Sequence, residues 1–487
     1  MNIFFVYILI FSISLSTFLK SEDECEQVVS RSFMTTRPAS YHQAIHQLLW
    51  HNVNYTGKGD MMANSNLTLI YQKSLPQNQT ARYFLLNGKK DILISGDNNT
   101  QDTYSRDVRA EWLGLPADFR GRMSLTPKQQ QLGFWFEYNQ QLKRFISYKF
   151  FENSWVSVRL PVIFVDNSLN PSYETEKNSS TLSLARALDN PSWCFGKISC
   201  KERSKVALAE IRISLGKTFI DEDYFQLGYE TTMVIPTAQK QNPEYLFSPV
   251  VGINGHAAFG NKLTFQVLLN RNPEHAAWTF FFNLEALLLI ANRQKRTFDL
   301  RGEPNPDIQL RHKQWSRFLM FTQQDGTIAP GVNVLTRDVV VNPYTLVDLC
   351  AGWRMRTKKF EFELGYNLWG HGKEKLSLTK NLYPDNSKHP MPFGILGTTA
   401  GTTASNSTIE SLAPNDATFV EINDSDLDHD SAAAAISLNH GIHFSMGAIH
   451  EGEKVDGFLG WGTFIDIPEK NSCPLYYGFW GKIGASF

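Results

Sequence analysis

The sequence predicts an all-β fold: a single closed, antiparallel transmembrane β-barrel of about 14 strands, with roughly 12 to 16 as the allowed range. Three observations lead to this class. Apolar and polar residues alternate with a period of two in many segments. Short and long connections alternate between those segments. After residue 20 no stretch is apolar enough for a membrane-spanning helix, because the best candidate, 276–291, is interrupted by Asn283 and Glu285.

Composition restricts the class of protein further. The 487 residues carry a formal net charge of −1, which argues against nucleic-acid binding, since that function needs a basic face. Aromatic residues make up 13% of the chain, as in a barrel with aromatic girdles, although a soluble core would also use them. A chain of this length usually holds several soluble domains, but large β-barrels are an exception.

The N-terminal segment predicts export. Residues 3–19 (IFFVYILIFSISLSTFL) match the apolar part of a secretory signal peptide, and small residues follow. No Lys or Arg precedes the apolar run, which departs from the usual pattern. We predict a signal peptide over 1–21, with a membrane anchor as the alternative.

The strand pattern is clear in 359–371, where the apolar face carries Phe360, Phe362, Leu364, Tyr366 and Leu368. Because successive strand side chains point to opposite faces, such a segment offers one face to lipid and the other to the lumen. About 14 segments of this kind are predicted. They lie near 105–113, 118–125, 130–140, 143–151, 155–164, 207–216, 223–235, 261–270, 276–291, 343–356, 359–371, 434–447, 456–467 and 474–487.

The lengths of the connections give a second indication. Short connections lie at 152–154, 217–222, 271–275, 357–358 and 448–455, and long ones at 165–206, 236–260, 292–342 and 372–433. Outer-membrane barrels have short periplasmic turns and longer extracellular loops. With the C-terminus in the periplasm, the long loops of this chain are expected to be extracellular.

Residues 22–104 are ambiguous. The segment 40–50 (SYHQAIHQLLW) indicates a helix, and 82–95 indicates a hairpin around Asn87 and Gly88. Three alternatives stay open for 22–104: a periplasmic extension, a plug in the lumen, or a further pair of strands. The barrel itself is assigned to 105–487.

The C-terminal segment 475–487 (LYYGFWGKIGASF), with the signal-like N-terminus, resembles the Gram-negative outer-membrane β-barrel class in its porin-like size range. No subfamily is identified. In that class the barrel-assembly machinery recognises the terminal aromatic residue and the alternating residues before it. The resemblance implies this role for Tyr477, Phe479, Ile483 and Phe487. It also implies the outer membrane of a Gram-negative-type cell as the location, with membrane lipids and the assembly machinery as partners.

Charged residues on the predicted inner faces are the candidate lumen-lining residues. They are Arg159, Glu210, Arg212, Glu230, Arg354, Arg356, Glu361 and Glu363. Such residues either line a polar channel and set its selectivity, or form ion pairs in a plugged lumen. We therefore expect a porin-like channel for small solutes. Two alternatives remain: a surface-binding or structural barrel with a plugged lumen, and a hydrophobic-solute transporter.

Two weaker patterns concern reactive side chains. Cys194 and Cys200 are near enough in sequence to form a disulfide in an oxidising compartment, with two free thiols as the alternative. His443 and Ser445 resemble the HxS arrangement of outer-membrane lipid A deacylases, but no acidic residue is placed to complete a triad. No catalytic residue, metal site, cofactor or nucleic-acid partner is predicted.

Overall fold

The computed structural model describes residues 29–49, 62–75, 79–102, 105–146, 148–222, 224–270, 276–301, 314–323, 325–380, 392–396, 419–470 and 472–487. The predicted signal peptide, 1–21, lies outside these residues. In the described part of the chain, no helix combines the length and the apolar character needed to cross a membrane.

Twelve antiparallel strands close into a barrel. They are β1 (Ala63–Ser74), β2 (Lys128–Gln141), β3 (Ser154–Ser168), β4 (Glu210–Glu222), β5 (Phe225–Pro236), β6 (Ala258–Asn270), β7 (Ala277–Leu289), β8 (Thr345–Arg356), β9 (Phe360–His371), β10 (Ser437–His450), β11 (Asp456–Pro468) and β12 (Tyr476–Ser486). Each strand pairs with its neighbour in sequence. The ring closes because β1 pairs with both β2 and β12, which leaves no sheet edge.

The strand count is 12 rather than about 14. Three predicted segments, 105–113, 118–125 and 143–151, do not join the wall. The first two contribute only the short strands Val108–Arg109 and Arg120–Ser124 to a separate sheet. The third forms two 3₁₀ turns between β2 and β3. Alternation could not separate these cases, because a strand packed on any core also has one apolar face.

The barrel also begins earlier than the predicted boundary at 105. Its first strand is Ala63–Ser74, which lies between the second and the last strands of the wall. The outward residues Leu67 and Leu69 of this strand alternate with the buried Thr68 and Ile70. In sequence, a connection of more than fifty residues, 75–127, separates this strand from β2.

An apolar belt covers the outside of the wall. Leu364, Phe479 and Ile483 are 54%, 54% and 56% exposed, although the neighbouring Glu363 and Lys482 are buried on the inside. Trp278, Trp353 and Trp461 also face outward. In β9, Leu364 faces outward and Glu363 inward, as the alternation in 359–371 predicts.

Connections of different length lie at opposite ends of the barrel. At the end that holds Ala63 and Phe487, all connections are short: 142–153, 223–224, 271–276, 357–359 and 451–455. We call this the short-turn end. The opposite end carries 75–127, 169–202, 237–257, 290–344 and 372–436, together with the short 469–475. The predicted alternation of short and long connections is therefore present in the fold.

The described parts of the long connections fold together over their end of the barrel, and we call this region the cap. It has its own hydrophobic core, which includes Phe84, Ile92, Phe119, Phe298 and Phe321. Its strands are Asp91–Ser95, Val108–Arg109, Arg120–Ser124, Ser172–Lys177, Asn292–Thr297, Asp299–Leu300, Met320–Gln323, Ile328–Pro330, Thr336–Asn342, Lys375–Leu378, Phe393–Leu396, Phe419–Glu421 and Leu427–Asp428. A further strand, Arg203–Leu208, extends β4 along β3.

Helices are short wherever the chain is described. The α-helices are α1 (Gln43–Gln47), α2 (Leu184–Leu188), α3 (Gly331–Val334) and α4 (His429–Ala432). The last three belong to the cap, whereas α1 lies inside the barrel.

Candidate functional site: the plugged lumen

The N-terminal part of the described chain runs through the barrel. Residues 29–36 are held in the cap, where the Ser30 hydroxyl donates a hydrogen bond to the carbonyl of Phe84 at 2.7 Å. Residues 37–49 then pass along the lumen towards the short-turn end, and every one of them is buried. We call residues 37–49 the plug. Within 22–104, residues 37–49 lie inside the barrel, while Ala63–Ser74 forms a strand of its wall.

Arg37 lies at the cap end of the plug. Its guanidinium forms ion pairs with Asp348 of β8 at 3.0 Å and with Asp466 of β11 at 2.8 Å. All three side chains are at most 1% exposed. A buried charge without a partner is costly, so this cation and these two carboxylates depend on one another.

Polar contacts continue down the plug. The backbone N–H of Ala39 donates to the Gln131 side chain at 2.8 Å, and Ser40 donates to Glu210 at 3.3 Å. Gln43 donates to Glu285. These bonds satisfy backbone and side-chain groups that would otherwise be buried without partners.

The lower end of the plug is held at the carbonyls and amide of its last residues. Arg354 donates to the carbonyl of Gln47, and Lys482 to the carbonyl of Leu48, both at 2.9 Å. The amide of Leu49 donates to Glu361 at 2.7 Å. The carbonyls at the end of a short helix have no hydrogen-bond donors within the helix, and here the cationic wall residues donate to them.

Apolar contacts accompany this polar network. Leu48 and Leu49 belong to one buried cluster with Trp135, Phe458 and Trp480 of the wall. Gly460 of β11 makes room for the plug, since a Cβ at that position would collide with the end of the Leu48 side chain. The plug is thus fitted to the wall as well as bonded to it.

All eight predicted lumen-lining residues lie on inner faces of the wall strands. Arg159 pairs with Glu137 at 3.2 Å, and Arg354 pairs with Glu363 at 2.7 Å and Glu361 at 3.3 Å. Arg212 pairs with Glu285, and Glu230 accepts a hydrogen bond from Thr232 at 3.4 Å. Most of these charges are therefore neutralised by other wall residues.

Three of the eight predicted residues contact the plug, but sequence reasoning missed five further charged residues of the lumen. Glu137, Glu285, Asp348, Asp466 and Lys482 all face the lumen and contact either the plug or a charged neighbour. Alternation alone could have found Asp348, because it has the same parity as Arg354 and Arg356 in β8. No local signal could have identified Arg37 as its partner.

His443 and Ser445 are both buried on the inner face of β10, and each contacts a different side chain. Ser445 donates a hydrogen bond to Glu363 at 3.1 Å, and the His443 ring lies 4.0 Å from the sulfur of Cys350. The hydroxyl of Ser445 is therefore hydrogen-bonded to a carboxylate that also forms an ion pair with Arg354.

The predicted disulfide is not formed, and Cys194 and Cys200 are both free and exposed. The segment between them is held against other parts of the cap. The amide of Gly196 donates to the carbonyl of Pro243, and that of Ile198 to the carbonyl of Leu188. These bonds fix the chain between the two thiols independently of any bridge.

The four residues of the predicted assembly signal share the outer face of β12. Phe479, Ile483 and Phe487 are exposed, and Tyr477 is half-buried. The strand also seals the barrel, because the carbonyl of Phe487 accepts hydrogen bonds from Met62 and Ala63, each at 2.9 Å.

A small cavity lies where the plug, the cap and the wall meet. Its apolar lining includes Phe33, Met34, Ile253 and Leu289. Its volume is about 430 Å³ even when the space open to solvent is counted.

No family model matches the sequence. No curated protein is similar enough to count as a relative. Among solved structures, the fold is similar to the COG4313 outer membrane channel from Pseudomonas putida F1, with a TM-score of 0.40, 9% identity and coverage of 89% of this chain and 100% of that one. It is also similar to the Pseudomonas putida toluene transporter TodX (TM-score 0.33, 10% identity, 95% and 99% covered). The fold is also similar to the transport unit of the autotransporter AIDA-I from Escherichia coli, with a TM-score of 0.30 and 8% identity over 93% of this chain and 99% of that one. Likeness of this degree says nothing about what this chain carries.

Proposed function

We propose that this chain is an outer-membrane β-barrel channel for small solutes, and that its own N-terminal plug holds the lumen shut. The observation that carries the proposal is a polar, charge-lined lumen filled by a segment that is not a barrel strand. Residues 37–49 contribute no backbone pairing to the wall. The plug could therefore leave without breaking a hydrogen bond between two wall strands, although its bonds to wall side chains would be lost.

Two properties of the wall support a membrane location. The outer face is a continuous apolar belt, and the ring has no unpaired strand edge, which are the two conditions for stability in lipid. By analogy with barrels of this type, the cap faces the cell exterior and the short-turn end the periplasm. The outward residues of β12, ending in Phe487, are then available to the assembly machinery before insertion.

The chemistry of the lumen supports small polar solutes. Side chains that face it include amides, hydroxyls and charges of both signs, such as Asn283, Glu285, Arg212 and Lys262. Such a lining replaces the hydration of a polar solute, which an apolar passage cannot do. The solute must displace the plug or pass after it has moved.

The test is conductance of the purified protein in planar bilayers, with the plug loosened and then locked. We expect a low conductance from the wild type and a higher one from Arg37→Ala. Ala44 of the plug packs against the native Cys350, so Ala44→Cys in the Arg37→Ala background places a second thiol beside it. Oxidation should close this channel, and a reductant should reopen it.

The matched control is the same double variant with Cys350→Ser, which cannot form the bridge and should not respond to oxidant. If no variant conducts ions, the channel proposal is wrong. If the bridge forms, as seen by mass spectrometry, but conductance does not change, the plug is not the gate.

A hydrophobic solute is the second candidate, because Phe33, Met34, Ile253 and Leu289 give the cavity an apolar side, although His256 and Glu374 also line it. An apolar molecule bound there would contact the segment that leads into the plug. The candidate predicts that Phe33→Ala lowers uptake of a small aromatic compound into liposomes. Equal uptake by wild type and variant would argue against it.

The cap supports one further role, since a loop region with its own hydrophobic core is a stable platform for a binding surface. If no plug variant conducts ions and no aromatic compound is taken up, surface binding or a structural role of the plugged barrel is the remaining proposal. Loss of binding to a host or partner surface after substitution of cap residues would support it.

A further inference from the structure

The lumen carboxylates that form ion pairs fall into two groups according to the source of their cation. Glu137, Glu285 and Glu363 pair with arginines of the wall itself. In the described part of the chain, the ion pairs of Asp348 and Asp466 are made with plug residues, Arg37 above all. The imidazole of His42, also in the plug, lies 3.8 Å from Asp466.

This difference matters when the plug moves. The first group keeps its partners, because both members of each pair stay in the wall. Asp348 and Asp466 lose theirs together, near the cap end of the lumen. A solute entering from the cap side then meets two carboxylates whose charges are no longer compensated.

A third wall residue joins these two carboxylates. Asn367 of β9 donates from its side-chain nitrogen to Asp466 at 3.3 Å. The oxygen of the same amide is fully buried and has no hydrogen-bond partner among the described residues. This amide oxygen is therefore an unused hydrogen-bond acceptor close to Asp466.

The backbone also makes space at this position. Gly441 of β10 lies opposite both Asn367 and Asp466 in the strand register. A Cβ at Gly441 would collide with the side-chain oxygens of both residues. The glycine thus permits two polar side chains to meet across an intervening strand.

We propose that Asp348, Asp466 and Asn367 form a cation-binding site of the lumen, and that Arg37 is its resident occupant. The ligand class is an organic cation that carries a guanidinium or primary ammonium group. Arg37 demonstrates the fit, because its two terminal nitrogens reach carboxylates on different strands at 3.0 and 2.8 Å. A planar guanidinium matches several oxygens through its fixed N–H directions.

The consequence for transport rests on the proposed channel function, whereas binding at the site does not. In the opened barrel, a cation would take the place of Arg37, and an anion would be repelled. A competing cationic solute would also favour release of the plug, since it would occupy the carboxylates that hold Arg37.

The binding test uses the full chain with Arg37→Ala and guanidinium chloride at low millimolar concentration, far below denaturing levels. We expect guanidinium to raise the thermal unfolding midpoint of this variant. Urea, which has a similar shape to guanidinium but no charge, controls for shape, and sodium chloride controls for ionic strength. Neither should raise the unfolding midpoint as much as guanidinium does. In Arg37→Ala/Asp348→Asn/Asp466→Asn the rise should be lost. A guanidinium effect that equals that of sodium chloride, or that persists in the triple variant, would overturn the proposal.

The second arm measures the reversal potential of Arg37→Ala in a potassium chloride gradient. We expect potassium to permeate more readily than chloride, with the preference lost in the smaller conductance that the triple variant retains. A channel that prefers chloride, or a preference that the triple variant retains, would contradict the selectivity role. If the variant binds guanidinium but does not conduct, the cation site stands and the channel function fails.

Discussion

Replacing Arg37 with alanine should undock the plug. The substitution leaves Asp348 and Asp466 without their guanidinium in a region where all three side chains are at most 1% exposed. Breaking a buried ion pair by removing one partner costs about 3–5 kcal/mol. Water can reach these carboxylates if the plug moves out, which lowers the cost of leaving them charged.

The ratio of undocked to docked protein should rise exponentially with that free energy. At about 1.4 kcal/mol for each tenfold change, 3–5 kcal/mol corresponds to a rise of roughly 10²- to 4 × 10³-fold. This is an upper limit, because the carboxylates also gain some relief from small shifts of the docked plug.

Cys350 is a native reporter of undocking. It is fully buried in the lumen wall and packs against Ala44 of the plug. The assay is the rate of its modification by a charged, water-soluble thiol reagent, with the other cysteines replaced by serine. When opening and closing are fast, this rate follows the open population. We expect slow labelling in the wild type and much faster labelling in Arg37→Ala.

The control for this prediction is Arg37→Ala/Asp348→Asn/Asp466→Asn, which removes the uncompensated charges. Its labelling should be considerably slower than that of Arg37→Ala, since two neutral amides tolerate burial better than two carboxylates. If Arg37→Ala folds and its Cys350 labels as slowly as in the wild type, the ion pairs do not hold the plug and the reasoning is refuted.

Three further predictions concern the fit of the plug, the outer belt and the cap. Gly460→Val should force Leu48 to move, at an overpacking cost of about 1–3 kcal/mol, and should therefore speed the labelling of Cys350. The double variant Gly460→Val/Leu48→Ala should restore slow labelling, because the smaller side chain leaves room for the valine. If Gly460→Val labels no faster, Leu48 does not depend on that space. If Leu364 of the outer belt lies at mid-bilayer depth, Leu364→Lys should lower the free energy of unfolding in lipid vesicles by about 2–4 kcal/mol. The control Leu364→Phe should not lower it, and equal stability of the two variants would contradict a contact between Leu364 and lipid. In the cap, the pKa of Asp102 is lowered because Arg120 donates a hydrogen bond to its carboxylate at 2.7 Å. The stability gained from ionised Asp102 is complete above the pKa of an unfolded aspartate, about 3.9, and is lost as pH falls through the lower folded value. Asp102→Asn should therefore make the cap more sensitive to protease at neutral pH, and this difference should shrink in acid; a difference that does not change with pH would exclude this ionisation as its cause.

Much of the wall could be predicted because strand faces are encoded locally. In β9 the apolar Phe360, Leu364 and Leu368 alternate with Glu361 and Asn367, so the direction of each side chain follows from its neighbours. The lengths of the connections are equally local, and they assigned the short turns and the long loops to opposite ends. Whether Cys194 and Cys200 form a disulfide or stay free was left open by the sequence, since spacing in sequence says nothing about how the intervening chain is held.

The terminal strand with its outward Phe479, Ile483 and Phe487, the two-faced wall and the sorting of loop lengths were all determined by the sequence alone. Closure at 12 strands, the cap and the plug were decided only by the tertiary structure. The physical reason is the distance along the chain over which the deciding contacts act. Arg37 meets Asp348 and Asp466 across separations of 311 and 429 residues, and no pattern within a strand records which distant charge will enter the lumen.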